Sequence, residues 1–322
     1  MLQVNHQITI GSTTYTARER FHLIDFQSRA GLNIPVNHCR ICLTSPQSLT
    51  IAASDPVSVK LGYGSDAALV FTGMVESVEW QWDRVTVYGS SRFRSLTAAH
   101  FNLLYEQPQA GDIVKDVAQR LQMAIATVDN GWKFPVYALG NQISAYDQLQ
   151  RLADQCGFDF YATVEDKLVF AKYSPAHTHR FTYGDQILSA TLDQPSPRIT
   201  GVEIYGESPI SQGQGEQAYS WLTKKEVKGT AGSNNCLLQW DNPTARTQAI
   251  ADNIAQALLT RKQQKQRGQL KVVGTSQVQL GHAIAINKLP LDQQNGSFKV
   301  IGVTHRLNCH QGFYTLINWE QA

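Results

Sequence analysis

One pattern, written twice, constrains this chain most. Val57-Ser58-Val59-Lys60-Leu61 leads through a Gly-containing loop into residues 71–78, with Gly73 at their centre, and then through a turn into Val85-Thr86-Val87-Tyr88. Near the other end, Ala283-Ile284-Ala285-Ile286 leads through a loop into residues 298–305, with Gly302 at their centre, and then into Tyr314-Thr315-Leu316-Ile317. Apolar residues at every second position are the mark of a half-buried strand. A glycine inside such a run marks a bulge or a tight bend. Short strands at this spacing predict a small barrel or sandwich, and the repeat predicts two similar copies, both read as barrels.

The rest of the first 98 residues is also β. Gln7–Ile10 and Thr13-Thr14-Tyr15 flank Gly11-Ser12, a hairpin signal, and residues 20–26 and 38–43 alternate. From 99 to 172 the period changes. Gly111-Asp112 predicts a helix with Asp112 as N-cap, and Ile113, Val114, Val117, Ala118 and Leu121 line one face. Ser144 with Asp147 three residues on predicts a second helix, carried by Tyr146, Leu149, Leu152, Ala153 and Cys156 and stopped by Gly157. Then Phe158, Phe160, Ala162 and Val164 alternate with Asp159, Tyr161 and Thr163. Glu165-Asp166-Lys167 turns the chain back into Leu168-Val169-Phe170. A helix this short does not stand alone, so it must pack on a neighbour. Strands return at Phe181-Thr182-Tyr183 and Val202–Tyr205; residues 207–215 read as a polar, Gly-rich loop. Asn242-Pro243 predicts the start of a third helix, with Ile250, Ile254, Ala257, Leu258 and Arg261 at helical spacing and Gly268 closing it.

The expected fold is mainly β with an α+β linker. It has a first β-barrel domain at 1–98, a linker domain at 99–172, and a second β-barrel domain at 173–205 and 268–322. Residues 206–267 are an insertion with a helix. A chain of 322 residues is long enough for two to four such units.

Composition narrows the function. The net charge is +2, too near neutral for a dedicated nucleic-acid binder. Only 17% of residues are charged, below the usual ~25%, as expected of a surface buried among partners. No apolar run is long enough for a membrane helix, and residues 1–11 lack the marks of a signal peptide. Five cysteines, an odd number in a long chain, fit a reducing compartment, so the chain is expected to mature in cytoplasm.

The chemistry-bearing clusters are weak. Cys39 and Cys42 are three apart in a strand and point to opposite faces, which favours core cysteines over chelation, even with His38 adjacent. His305, Cys309 and His310 could converge only in a turn, and His177 and His179 are most simply surface histidines. G-x-S-x-G, H-E-x-x-H, the P-loop and a complete G-x-G-x-x-G are all missing; Gly213-Gln214-Gly215 does not join a strand to a helix. Nothing selects any pair of carboxylates for glycoside cleavage. The basic run from Arg261 to Arg267 suits a helix C-terminus, with an acidic partner or passing DNA as the sharper reading. Trp80 and Trp82 fit a barrel interior or a subunit contact, and less well a sugar platform. No catalytic, cofactor-binding or metal-binding residue is assigned, and no cofactor is expected.

The stretch YDQLQRLADQCGFDFYATVEDKLVFAK resembles the middle of the late-control D family of phage tail proteins, the baseplate hubs of contractile tails. The N-terminal half of type VI secretion spike proteins belongs to the same group. Leu280-Gly281-His282 before a strand, residues 296–305 and residues 312–316 are similar to that family as well, as is the order barrel, linker, barrel with a helical insertion. The resemblance implies a structural protein, not an enzyme: a homotrimer whose two barrels per chain form a pseudo-sixfold ring. That ring would join the sixfold tail tube to the threefold central spike, in the virion tail baseplate and assembled in the host cytoplasm. It implies as partners the central spike protein and the tail tube protein, with tape-measure and baseplate wedge proteins as further neighbours. DNA passes through the lumen without specific binding, and no stable membrane insertion is expected. No OB-like domain or β-helix follows Ala322, so the spike is expected to be a separate chain. The rival readings are a tail-associated cell-wall hydrolase and a carbohydrate- or receptor-binding β module.

Overall fold

The computed structural model describes residues 4–17, 23–32, 34–44, 50–64, 66–195, 198–206, 227–233, 235–263 and 265–321. The predicted loop at 207–215, including Gly213 and Gly215, lies outside the described residues. The fold is mainly β. The first part holds β1 (Val4–Ile10), β2 (Thr13–Thr16), β3 (Leu23–Gly31), β4 (His38–Thr44), β5 (Pro56–Tyr63), β6 (Ala68–Trp80) and β7 (Arg84–Ser90). The middle holds α1 (Phe93–Ala98), β8 (Leu103–Glu106), α2 (Ala110–Arg120), β9 (Ile125–Val128), β10 (Val136–Leu139), α3 (Ala145–Cys156), β11 (Asp159–Ala162) and β12 (Leu168–Ala171). The last part holds β13 (Thr178–Thr182), β14 (Ile187–Asp193), β15 (Gly201–Gly206), β16 (Lys228–Gly232), β17 (Leu237–Asn242), α4 (Gln248–Lys262), β18 (Arg267–Val273), β19 (Ala283–Asn287), β20 (Gly296–Asn308) and β21 (Gly312–Glu320).

The two β parts correspond strand for strand. In the first, neighbours run β1-β5-β6-β7-β4-β3; in the last, they run β13-β19-β20-β21-β18-β14. The matched strands also follow each other in the same order along the chain. β15, β16, β17 and α4 occupy the place of the short β3–β4 connection, and β2 is an addition to the first copy. One difference is that β1 lies antiparallel to β5 whereas β13 lies parallel to β19. The pairing of β3 with β20 joins the halves into one 13-stranded sheet. Bulges sit near the two central glycines but not on them: Glu76 is extra between Val75 and Ser77, and Ile301 between Val300 and Gly302. Gly73 has a different cause, since a Cβ there would lie 2.3 Å from the Ser90 carbonyl oxygen.

Among the described residues three apolar cores follow. The first β part closes over Ile8, Phe26, Ile41, Val59 and Val85, and the last over Leu270, Ile284, Val300, Ile317 and Trp319. The third core merges the linker with the insertion: Phe93, Phe134, Leu149 and Phe160 share it with Val202, Ile204, Ile254 and Leu258. The strand at Val202–Tyr205, which alternation assigns to the second β unit, therefore pairs elsewhere. β15 lies between β16 and β17 in a separate sheet that packs on α4.

The helix from Ala145 to Cys156 matches its sequence signals: Ser144 Oγ accepts from the Asp147 amide at 3.1 Å, and Gly157 takes the left-handed conformation at φ 69°. Two predicted helix starts need correction. α2 is capped by Gln109, and Asp112 sits three residues in, its Oδ2 accepting from the Gln109 amide at 3.1 Å. α4 begins after Thr247, whose Oγ1 accepts from Ile250 N at 3.3 Å, not at Pro243. Asn242 Oδ1 instead takes the Thr244 amide at 3.1 Å, and this local turn competes with helix. Nor does Gly268 close α4. It is inside β18, where a Cβ would lie 2.5 Å from the Trp319 ring. α1 carries no predicted signal; it is one short piece held by buried Phe93 and Leu96.

Candidate functional site at the junction of the two halves

The linker's hairpin, β11 and β12, meets both β parts. Alternation places Asp159 on an open face, but this residue is buried and its Oδ1 lies 2.7 Å from the equally buried Lys299 Nζ on β20. Glu320 stands 3.7 Å from the same ammonium, which also lies 4.8 Å from the centre of the Tyr173 ring. Asn37 Nδ2 donates to the Ala162 carbonyl at 3.1 Å, tying the first half to the same hairpin. Asp166, in the hairpin turn at φ 61°, accepts from the Arg92 amide at 2.9 Å. Burial raises its carboxyl to about 6, against the opposing pull of that hydrogen bond. Between these contacts lies a cleft of about 420 Å³, lined among others by Ser28, Phe71, Tyr161, Leu280 and His305. The Ser28 hydroxyl is buried there without a hydrogen-bond partner. Gly281 is at φ 77°, and a Cβ there would lie 2.4 Å from the Tyr161 hydroxyl.

Three histidines meet at one mouth of this junction. His179 Nε2 is 2.9 Å from His282 Nδ1, and the His177 ring centre is 5.1 Å from that of His282. The Gln279 amide donates to the same His282 Nδ1 at 3.3 Å, so that nitrogen accepts and His179 donates. Sequence spacing points to His177 and His179 but not to His282, which parallel pairing of β13 with β19 brings beside them. Burial, and then the charges of His179 and His177, lower His282 to about 4; burial alone lowers His305 to about 4. Among the described residues no group of three or more His, Cys, Asp or Glu could hold a metal ion.

The sign of the pH effect follows. Both histidines bind a proton near pH 6.5 when unfolded and only near 4 when folded, so the fold is fully favoured above pH 6.5 and loses stability as pH falls from 6.5 toward 4. Asp166 acts in the opposite sense, because protonation below about 6 relieves its burial cost. Replacing His282 by Gln keeps an acceptor for the Gln279 amide and removes the proton site. The thermal midpoint of His282→Gln is expected to fall less than that of the parent between pH 7.5 and 5; equal falls would show that His282 does not set the acid sensitivity.

The other sequence candidates do not converge. Cys39 and Cys42 are buried in β4, and burial pushes the Cys39 thiol far above its ordinary range. His305 is inside β20, accompanied by Thr315 Oγ1 at 3.1 Å, while Cys309 and His310 are exposed. Arg261 serves packing: its Nε meets Asp154 Oδ1 at 3.0 Å, and its guanidinium also donates to the Phe158 carbonyl. Arg267 pairs with Asp193 at 2.9 Å. Trp80 and Trp82 are 51% and 94% exposed, which excludes an interior role.

Residues 48–308 match the family described as Alg8 N-terminal domain, a span that reaches from before β5 to the end of β20 and so crosses both halves. The chain belongs to this family. No curated protein sequence matches it significantly. Its fold is that of phage tail proteins. The 43 kDa tail protein of prophage MuSo2 from Shewanella oneidensis superposes with a TM-score of 0.74 at 13% identity, over 99% of this chain and 98% of that one. The tail protein of Neisseria meningitidis MC58 gives 0.73 at 14% identity, over 99% and 96%. The E. coli c3393 protein, a type VI secretion component described as similar to the T4 tail proteins gp27 and gp5, gives 0.65 at 11% identity, over 98% and 76%.

Proposed function

We propose that this chain is the baseplate hub of a contractile tail or of a related injection machine. It is a homotrimer in which each protomer supplies two similar β-barrel units, so that six units face the tail tube and three protomers hold the spike. The observation that carries the reading is the duplication: six strands in each half share one order in the chain and in the sheet. The fold shared with tail proteins, the low charge content and the exposed tryptophans support it. The units are residues 1–98 and, together, 173 to about 195 with 268–322. We assign β15 to the insertion, because it shares a sheet with β16 and β17. The linker with the insertion acts as the spacer that sets the rotation between units. The work is symmetry matching and anchorage under load, without turnover. The partners are the central spike, the tail tube, and tape-measure and wedge proteins. The place of action is the virion baseplate, after assembly in the host cytoplasm.

Light scattering of the purified chain with its particle's spike protein, followed by cryo-EM, tests this. The expected result is a threefold ring of this chain seated on the spike. A stable monomer in the presence of spike overturns it. So does peptidoglycan lysis by the purified chain that a single Asp or Glu substitution abolishes.

A further inference from the structure

The duplication exposes an unfilled pairing. β20 uses one edge for β21 along Lys299–Asn308. Its opposite edge carries β19 at Gly296–Lys299 and then β3 at Gly302–Asn308. The seat taken by β3 starts at the residue after the Ile301 bulge. β6 is built the same way. Its Met74 pairs with Ser90 of β7 on one edge and with Pro56 of β5 on the other. Beyond the Glu76 bulge, β6 continues through Ser77–Trp80 with β7 on one side and, among the described residues, no strand on the other. This open edge of β6 matches the edge of β20 that β3 fills.

The strand equivalent to β3 is β14. Both end the path of their half, both pair antiparallel with matched neighbours (β4 and β18), and both carry a bulge at their second residue. β3 uses its second edge to seat on β20, whereas the second edge of β14 carries, among the described residues, no strand and only a single bridge from its first residue, Ile187, to Tyr183. Among the described residues the chain thus presents one empty seat, on β6, and one unseated strand, β14. They are separated along the sheet by β18, β21, β20, β3, β4 and β7.

We infer that β14 of one protomer adds, antiparallel, to the Ser77–Trp80 edge of β6 in the next copy of this chain, repeating between protomers the β3–β20 joint found within one. The inference rests on the hub reading only for the number of copies in the ring. Its polarity follows from the internal joint, where the end of β3 meets the start of the seat (Gly31 with Gly302) and its start meets the end (Asp25 with Asn308). Carried over residue by residue, that register sets Asp193 opposite Glu79, Leu192 opposite Trp80 and Ala190 opposite Trp82, with Leu188 at the Trp82–Asp83 end. Leu188 is 57% exposed and Trp80 51%, so the pairing covers large apolar side chains that the single chain leaves in water. In the filled joint one such apolar pair is covered: Phe26 is fully buried opposite the half-buried Leu307. The contact is heterologous, and it closes into a ring when the rotation per copy allows. An open edge with exposed apolar residues is otherwise a liability for disordered association.

Disulfide trapping in the full chain tests the register. Cys236→Ser and Cys309→Ser remove the exposed thiols. Ser77→Cys is then combined in turn with Asp193→Cys, Gln194→Cys or Pro195→Cys, at the end of β14, because the repeated register sets residue 195 opposite Ser77 and bridging needs Cα atoms within about 7 Å. At least one combination is expected to give interchain bands on non-reducing gels, ending in a covalent ring. Thr14→Cys on β2 with the same partner cysteines is expected to give none. Leu188→Glu, on an exposed position, is expected to raise the concentration of half-assembly at least tenfold with an unchanged circular dichroism spectrum. If a trimer forms by light scattering but no Ser77 combination cross-links, or Thr14 cross-links instead, the inference falls while the hub reading stands. Ser77 cross-links in a ring of a different number of copies would sustain the inference and overturn the trimer. A monomer at all concentrations, with and without spike, overturns both.

Discussion

Asp159→Ala is expected to cost about 3–5 kcal/mol of stability, the range for removing one partner of a buried ion pair. The reason is what stays behind. Lys299 Nζ is held 2.7 Å from the Asp159 carboxylate on a side chain only 10% exposed, and without that partner it keeps a charge that water cannot reach. Glu320 at 3.7 Å is too far for a good hydrogen bond and only partly replaces Asp159. The urea midpoint should therefore drop by roughly 1 M or more, given slopes of a few kcal/mol per molar. The double variant Asp159→Leu with Lys299→Met should recover most of the loss, because two apolar groups need no partner. A single-variant cost below about 1 kcal/mol would mean that solvent reaches the ammonium and that the pair is a surface pair in effect. The pair also has an architectural consequence, since it ties β11 of the linker to β20 of the second half and so bears on the angle between them.

Asp159 also shows where sequence reasoning stops. Alternation over residues 158–164 names one face for the core and assigns Asp159 to the other, which holds for a sheet with one wet face. Here the hairpin is covered on both faces, by α3 on one side and by β20 on the other, so a charged residue of the second face is buried with a partner 140 residues away. No local pattern can announce such a partner. Signals that depend on neighbours in sequence do read correctly: Ser144, Gly157, the hairpin through Asp166, and the paired long strands, although their bulges fall at Glu76 and Ile301 and not at the glycines. The helix starts expected at Asp112 and Pro243 fail for a local reason, because a second capping group stands within a few residues and wins. The strand at 202–205 looks like its neighbours by period. Its sheet is decided by β16, β17 and α4, which come later in the chain. The histidine junction needs the β13–β19 pairing before His282 can be seen beside His179. The open seat on β6 is half legible. The repeat is visible in the sequence, but that one copy of the joint is filled and the other empty is a property of strand pairing.

Phe160→Ala is expected to cost a further 3–5 kcal/mol, roughly, by a different mechanism, the cavity left by a fully buried aromatic ring. Phe160 is 2% exposed, with ring centres of Phe93 at 5.2 Å, Tyr146 at 5.6 Å and Phe170 at 6.4 Å. These come from α1, α3 and β12, so one side chain holds the exit from the first half, the spacer helix and the hairpin together. Phe160→Leu retains most of the volume and should cost about 1–2 kcal/mol, since volume-conserving exchanges are the better tolerated ones. The decisive measurement is amide hydrogen exchange. In Phe160→Ala, protection should fall in α3, β11 and β12 and hold in β4, β5 and β7, because Phe93, Tyr146 and Phe170 all belong to the linker core and none to the core of the first half. If protection in β4–β7 falls to the same extent, the halves and the spacer unfold as one unit. The linker then could not set the rotation between units independently of their own stability.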